Sequence, residues 1–553
     1  MFFKFNRKMG EKIFMDKKII IGGIIAVVII IVAIFALTGS HHDSDPTHLT
    51  VAAHSNIKEP KSGFNPLTGW GCGHQNYNPL VQSCLFKTDK NGTIVPDIAT
   101  DYSISDDGKT WTVNMRDDIK FSDNSTLDAE DVAFTFNKAK ETESELDLTN
   151  IANVTAVNKT SVEFNLVEPR STFIYDLRYV GIVPSDSYDN STYGEHPIGS
   201  GPYVLDHWDK GQQAIFKIND NYYGEKPYFT QITLLFPEES TWLELAKSGD
   251  VDVVPVPTSG LNQSVDGYQF VEKSAGRAQG VSLPYLNDTG IVTNDSYKVG
   301  NNVTADKSIR EALNVGINRQ KMVDDVFSGH ASPEFTGVDT RDYANDDAKV
   351  KDADVDKAKQ ILKDGGWTDT NGDGIVEKDG VKASFDLYYP PDYLDRQSLS
   401  TVFAEQAKEI GIEVNLKGAD WDTIYANMYS SAALMQQTSP DPYKSIYQQY
   451  HSKEMDGFYM NPNLYNNTDI DKIMDDAMST NDINQSNTLW AESAYSNGEG
   501  WGPAGDAPWV WLANYDYNYF IKDGVNIGDQ PDGLGNDILI NVCDWSRTNS
   551  TSA

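Results

Sequence analysis

His196-Pro-Ile-Gly-Ser-Gly-Pro-Tyr-Val-Leu205, HPIGSGPYVL, places two prolines and two glycines within the six residues Pro197 to Pro202. Proline fixes φ and has no N–H, and glycine leaves the backbone unconstrained, so neither a helix nor a central strand passes through this stretch. An alternating strand pattern begins directly afterwards. YVLDHW (203–208) and AIFKI (214–218) flank DKGQ (209–212) in the manner of a β-hairpin. A turn this firm, feeding straight into a sheet, re-aims the chain between two structural units.

Upstream of it, HLTVAAH (48–54) reads as a strand leading into a Gly- and aromatic-rich loop, NPLTGWGCGHQNYNPL (65–80). KTWTVNMR (109–116) places Trp111, Val113 and Met115 on one face of a half-buried strand. A helix follows, capped by Thr126 or Asp128, with Ala129, Val132, Ala133 and Phe136 as its apolar stripe. Downstream, helices alternate with strands. Ile309, Ala312, Leu313, Gly316 and Ile317 share one helical face, and Leu399, Phe403, Ala407 and Ile410 share another, which Gln406 interrupts. FDLYY, that second helix and IEVNL form a βαβ pattern with parallel strands. Ile470, Ile473, Met474 and Ala477 mark a further helix capped by Asn467 or Thr468, and APWVWLANYDYNYF (507–520) is an aromatic strand. The fold class is α/β, and 553 residues suggest two to four domains.

The run Ile19–Leu37 carries no charge and, at about 1.5 Å per residue, reaches about 28 Å, enough to cross a bilayer. Lys4, Arg7, Lys8, Lys12, Lys17 and Lys18 precede it against Glu11 and Asp16, so the remainder is expected outside the cytoplasm. We read residues 1–18 as a cytoplasmic basic leader, 19–37 as a transmembrane anchor or signal, and 38–47 as a polar stalk. An uncleaved single-pass anchor is favoured over a signal peptide, whose apolar run is shorter. Beyond the leader, 39 basic residues face 79 acidic ones, a net −40, which argues against nucleic acid as a partner. Asn-X-Ser/Thr sequons, at Asn91, Asn124 and Asn302 among others, fit an exported glycoprotein. Three cysteines, Cys72, Cys84 and Cys543, make no disulfide framework, although a Cys72–Cys84 bridge remains open.

LFKTDKNGTIVPDIATDYSISDDGKTWTVNMRDDIKFSDNSTLDAEDVAFTFNKAK, PIGSGPYVL, NDNYYGEKPYF, SIREALNVGINRQKMVDDV and DKAKQILKDGGW occur in this order. The series resembles the family 5 extracytoplasmic solute-binding proteins, the peptide- and nickel-binding components of ABC importers, from about His48 to the C-terminus. The resemblance implies a two-lobed, periplasmic-binding-protein-like clamp with an extra small subdomain. Lobe I would comprise 48–75, 197–278 and 511–553, its subdomain 76–196, and lobe II 279–510. The opening turn would return the chain from the subdomain, and the crossings between lobes would lie near 277–282 and 509–514. ABC permease and ATPase subunits would be the partners, with a peptide or small-molecule ligand. A non-transport surface or envelope protein is the alternative.

No Walker A loop, Gly-x-Ser-x-Gly elbow, His-Glu-x-x-His or Cys-x-x-Cys occurs, so no enzyme and no required cofactor are expected. Asp369, Asn371, Asp373 and Gly374 have calcium-loop spacing, but the closing position is Gly380 rather than Glu, so a tight turn competes with structural calcium. His41, His42, His48 and His54 cluster beyond the apolar run, where a solvated linker is preferred to a metal-collecting stalk. By resemblance to nickel-chelate binders, Arg178 would grip a ligand carboxylate and His451 would ligate nickel as transported cargo. Trp70, His74 and Tyr443 would line the cleft. A short peptide remains the competing ligand.

Overall fold

The computed structural model describes residues 45–54, 59–60, 63–68, 80–142, 147–454, 460–529 and 538–548. Ile19–Leu37, His41, His42, Trp70, Cys72 and His74 lie outside them. Among the described residues no helix is long and apolar enough to cross a membrane. The chain divides into Met1–His48 and one unit, Leu49–Ala553; the second is described here.

Among the described residues its main sheet has eleven strands. In spatial order they are Glu413–Gly418, Ser384–Tyr389, Ala432–Gln437, Tyr268–Ser282, Trp509–Lys522, Val253–Pro255, His48–Ala52, Gln231–Leu235, Gln213–Ile218 and Tyr203–Asp209, with Ala331–Pro333 also paired to Trp509–Lys522. The expected βαβ unit forms: Ser384–Tyr389 runs parallel to Glu413–Gly418, and the helix Leu394–Glu409 connects them. Gln406 interrupts the apolar face of that helix because its Oε1 accepts the Asn318 N–H at 2.7 Å, capturing a backbone donor at the start of an earlier helix, Arg319–Phe327.

Two strands in this sheet are far longer than their neighbours. Tyr268–Ser282 and Trp509–Lys522 pair antiparallel from Tyr268↔Lys522 to Ser282↔Trp509, with the register slipping between Lys273 and Arg277 and again between Gln279 and Gly280. One end of the pair adjoins Val253–Pro255, through Val253↔Ile521. The other adjoins Ala432–Gln437, through Ala278↔Gln437 to Ser282↔Ala433. The two strands therefore belong to both halves of the sheet, and the register slip marks where they pass from one to the other.

A separate four-stranded antiparallel sheet has the order Ala99–Ile104, Thr110–Met115, Ser161–Leu166, Ile151–Asn158. Trp111, Val113 and Met115 are buried in it, as the alternation requires, in one core with Val132 and Phe136 of the helix Ala129–Lys140. Asp128, not Thr126, caps this helix: its carboxylate accepts the Glu130 N–H, and Asp131 reaches back to the Asp128 N–H.

The HPIGSGPYVL turn lies where the chain leaves and re-enters the main sheet. The Gly201 N–H donates to Val81 O and the Tyr203 N–H to Leu80 O, so the outgoing and returning segments are hydrogen-bonded side by side. A Cβ on Gly199 would lie 2.0 Å from Val81 O, and one on Gly201 2.6 Å from Leu80 O. These glycines serve close approach of two backbones. Tyr203–Asp209 then pairs with Gln213–Ile218 as the expected hairpin.

Candidate functional site

The register slip in Tyr268–Ser282 delivers Arg277 into a pocket of its own. Its guanidinium is buried over the rings of Tyr515 and Tyr517, 4.3 and 4.8 Å from their centroids. Arg277 Nη2 donates to Gln436 Oε1 at 3.0 Å, Gln279 Nε2 donates to the same oxygen at 2.8 Å, and Arg396 Nη2 donates to it at 2.9 Å. The Tyr515 hydroxyl donates to Asp395 at 2.6 Å, and burial raises its pKa well above the ordinary range. A cleft open to solvent adjoins this group, with His54, Trp242, Arg277, Tyr393, Asp395 and Tyr515 in its wall. His54 packs its ring on Trp242 and Tyr517, and burial beside Arg277 holds its imidazole well below its usual range. It is thus part of the cavity wall rather than of a stalk.

A second cluster joins residues far apart in sequence. Arg170 is buried and donates to Asp176 at 2.7 Å and to Asp441 at 2.9 Å, while its guanidinium lies 4.1 Å from the Tyr443 ring centre. Burial pushes the Asp176 carboxyl up to about 6, and the adjacent Arg170 opposes that rise. The column continues: Tyr443 stacks on Tyr447 at 5.6 Å, and Tyr447 on His451 at 4.2 Å. Ser171 N–H donates to Met478 O, and Lys453 pairs with Glu168 at 2.8 Å. These contacts knit the segment around the four-stranded sheet to residues 441–478.

Arg178 is buried, donates to Thr88 at 3.0 Å and lies over the Tyr175 ring at 4.6 Å. His451 Nδ1 accepts the Lys453 N–H at 3.0 Å, while its buried Nε2 lies 3.2 Å from Asp475 Oδ1 but makes no hydrogen bond among the described residues. Tyr443 and His451 share one aromatic column; Trp70 and His74 fall outside the described residues. In the acidic turn, ligand oxygens of Asp369, Asp373 and Glu377 lie within 4.8 Å of one another. The turn uses them itself: Asp369 accepts the Gly372 and Gly374 N–H groups, Asn371 accepts that of Asp373, and Glu377 accepts that of Thr370. Cys84 and Cys543 are free thiols.

Residues 93–457 match the family model for bacterial extracellular solute-binding proteins, family 5 Middle. The chain belongs to this family. The oligopeptide-binding protein AppA of Bacillus subtilis is 28% identical over 451 residues, covering 76% of this chain and 79% of AppA. The nickel-binding periplasmic protein of Escherichia coli is 30% identical over 362 residues, covering 63% of this chain and 67% of that protein. NikZ from Campylobacter jejuni, solved with Ni(L-His), superposes with a TM-score of 0.73 at 20% identity, over 91% of this chain and all of NikZ. That likeness shows that the chain shares the mixed α/β fold of NikZ, and these family relatives are binding proteins, not enzymes.

Arg396, Gln436, Arg170 and Asp441 were not singled out by the sequence. Arg277 enters the sequence reading only as the start of a crossing segment. A residue pair such as Arg170 and Asp441, separated by 271 positions, leaves no local pattern.

Proposed function

We propose that this chain is the solute-capturing component of an ABC importer, closing two lobes on a peptide or a nickel chelate and delivering it to a permease. Lobe I would comprise 48–75, 197–278 and 511–553, the subdomain 76–196, and lobe II 279–510. Ile19–Leu37 would tether the whole to the membrane. The observation that carries the reading is the pair of long strands, Tyr268–Ser282 and Trp509–Lys522, which join both halves of the sheet and slip register beside an arginine-bearing cavity. Strands shared by two halves form a natural hinge, and a ligand that contacts both sides shifts the population toward closure.

Two ligand classes stay in play because both are named among the family relatives: an oligopeptide binder and a nickel binder. The test is mass spectrometry of gently purified protein under native conditions, followed by calorimetry with the recovered ligand and small-angle scattering. The expected result is a bound peptide or nickel chelate and a smaller radius of gyration at saturation. Protein that binds neither class and shows the same scattering profile throughout would overturn the reading.

A further inference from the structure

Three carboxylates, Asp147, Asp176 and Asp441, meet two cations, Arg170 and Lys444, where residues 147–180 pack against residues 441–454. Asp176 and Asp441 are 5% and 3% exposed and share one guanidinium, that of Arg170. Its Nη1 donates to Asp176 at 2.7 Å and its Nη2 to Asp441 at 2.9 Å. Asp147 Oδ2 accepts from neutral donors across the same interface, Gln448 Nε2 at 3.1 Å and the Tyr443 hydroxyl at 3.5 Å. Lys444 lies 5.2 Å from the centre of the Tyr179 ring. At the outer edge Glu168 pairs with Lys453, and burial, with Asp147 next in weight, holds the Glu454 carboxyl above its usual range.

The inner group thus carries three negative charges against two positive ones, in a place where burial removes the screening of water. Excess charge of this kind is relieved by binding a proton. Asp176, on the short helix Ile174–Leu177, is the carboxyl placed to take it. Burial is the largest influence on it, Arg170 and Lys444 oppose the rise, Asp441 and Asp147 add to it, and the carboxyl comes to rest at about 6. A proton there leaves the Arg170 guanidinium to Asp441, its partner on the opposite segment.

We propose that closing this interface takes up a proton at Asp176, so that mildly acidic surroundings favour the closed clamp and tighten its hold on solute. This goes beyond the solute-capture reading and rests on its lobe closure. With the interface open, water returns to the carboxyl, which then ionises near the ordinary aspartate value of about 3.9. A group whose pKa is raised in the closed form contributes in full below the open-form value, and its contribution is lost as the pH rises through about 6. Closure is therefore expected to be about ten-fold more favourable at pH 5 than at pH 7.5.

The experiment follows ligand-free protein by small-angle scattering at pH 5, 6 and 7.5. The radius of gyration of wild type is expected to fall with the pH. Asp176→Asn keeps the shape and an acceptor for Arg170 while standing in for the protonated acid, and is expected to be compact at all three values. Asp220→Asn, which removes an acid with 91% of its side chain exposed, is expected to follow wild type. A wild-type profile that does not change with pH, or an Asp176→Asn profile that changes as wild type does, would overturn the proposal. So would an unfolding midpoint for Asp176→Asn several degrees below wild type at pH 7.5, since the charged carboxylate would then be supporting the fold.

Calorimetry gives a second measure. Tri-alanine and nickel–histidine are titrated at pH 6 in two buffers of different ionisation enthalpy. With whichever probe binds, wild type is expected to take up about half a proton more per ligand than Asp176→Asn. Equal proton counts with intact binding would overturn the switch and leave solute capture standing. Wild type that binds neither probe and keeps one scattering profile at every pH would overturn both.

Discussion

Gly199 meets Val81 O and Gly211 meets nothing, and the two glycines are needed for different reasons. A Cβ on Gly199 would lie 2.0 Å from a backbone oxygen that cannot rotate away, whereas Gly211 has open space around it and φ +80°. Gly199→Ala should therefore cost about 3 kcal/mol, through forced separation of two hydrogen-bonded backbones. Gly211→Ala should cost about 1–2 kcal/mol, the strain of a left-handed alanine. Urea denaturation of both variants checks the order, and equal losses would remove the close-approach argument. At this scale the turn itself was legible, because two prolines and two glycines act locally. The backbone it packs against was not: the partner of Gly199 sits at Val81, 118 positions earlier. The same limit hid Arg396 and Gln436, which no periodicity brings together. His451 was visible as a residue type suited to nickel, but its Nδ1 is occupied by a backbone N–H two residues on, a detail only the fold supplies.

The elements that periodicity predicts best are those with a single amphipathic face. Thr110–Met115, Ala129–Lys140, the hairpin after the turn and the βαβ unit around Leu394–Glu409 all form as read. Of the two crossing strands, Trp509–Lys522 is legible as the aromatic strand 507–520, whereas Tyr268–Ser282 is legible only as a crossing near 277–282, since hydrophobicity does not reveal that a strand changes neighbours part-way along. Their packing is tight where they cross. Trp511 stacks on Trp509 with centroids 4.6 Å apart, and its Nε1 donates to the Tyr450 hydroxyl at 3.3 Å. A Cβ on Gly280 would come within 2.6 Å of the Trp511 ring, and one on Gly337 within 2.5 Å. The indole is thus in close contact with two glycines, Gly280 beside the register slip and Gly337 outside the strand pair. Gly280→Val should push the ring out of place and lower stability by about 1–3 kcal/mol, with a matching loss of near-ultraviolet tryptophan circular dichroism. A variant with wild-type stability and spectrum would show that the strands tolerate repacking here, and that Gly280 has no part in fixing the crossing.

Across the whole molecule, the buried pair Arg170–Asp441 ties the segment carrying Arg170, Asp176 and the four-stranded sheet to the segment carrying Tyr443, Tyr447 and His451. If solute capture proceeds by lobe closure, contacts of this kind form on closing and break on opening, so they set how much ligand is needed to hold the closed form. Breaking a buried pair by removing one partner's charge is costly, because the other is left uncompensated. Arg170 keeps Asp176 as a second partner at 2.7 Å, which limits the damage to the fold. Asp441→Asn preserves shape and removes only the charge that bridges the two segments. It is expected to shift the unliganded protein toward open forms and to weaken ligand binding about ten-fold, about 1.4 kcal/mol, without contact between Asp441 and the ligand. Small-angle scattering should give a larger unliganded radius of gyration for the variant, converging on wild type at saturating ligand. Unchanged affinity together with unchanged scattering would mean that the two segments stay joined throughout the cycle, and that the hinge opens elsewhere.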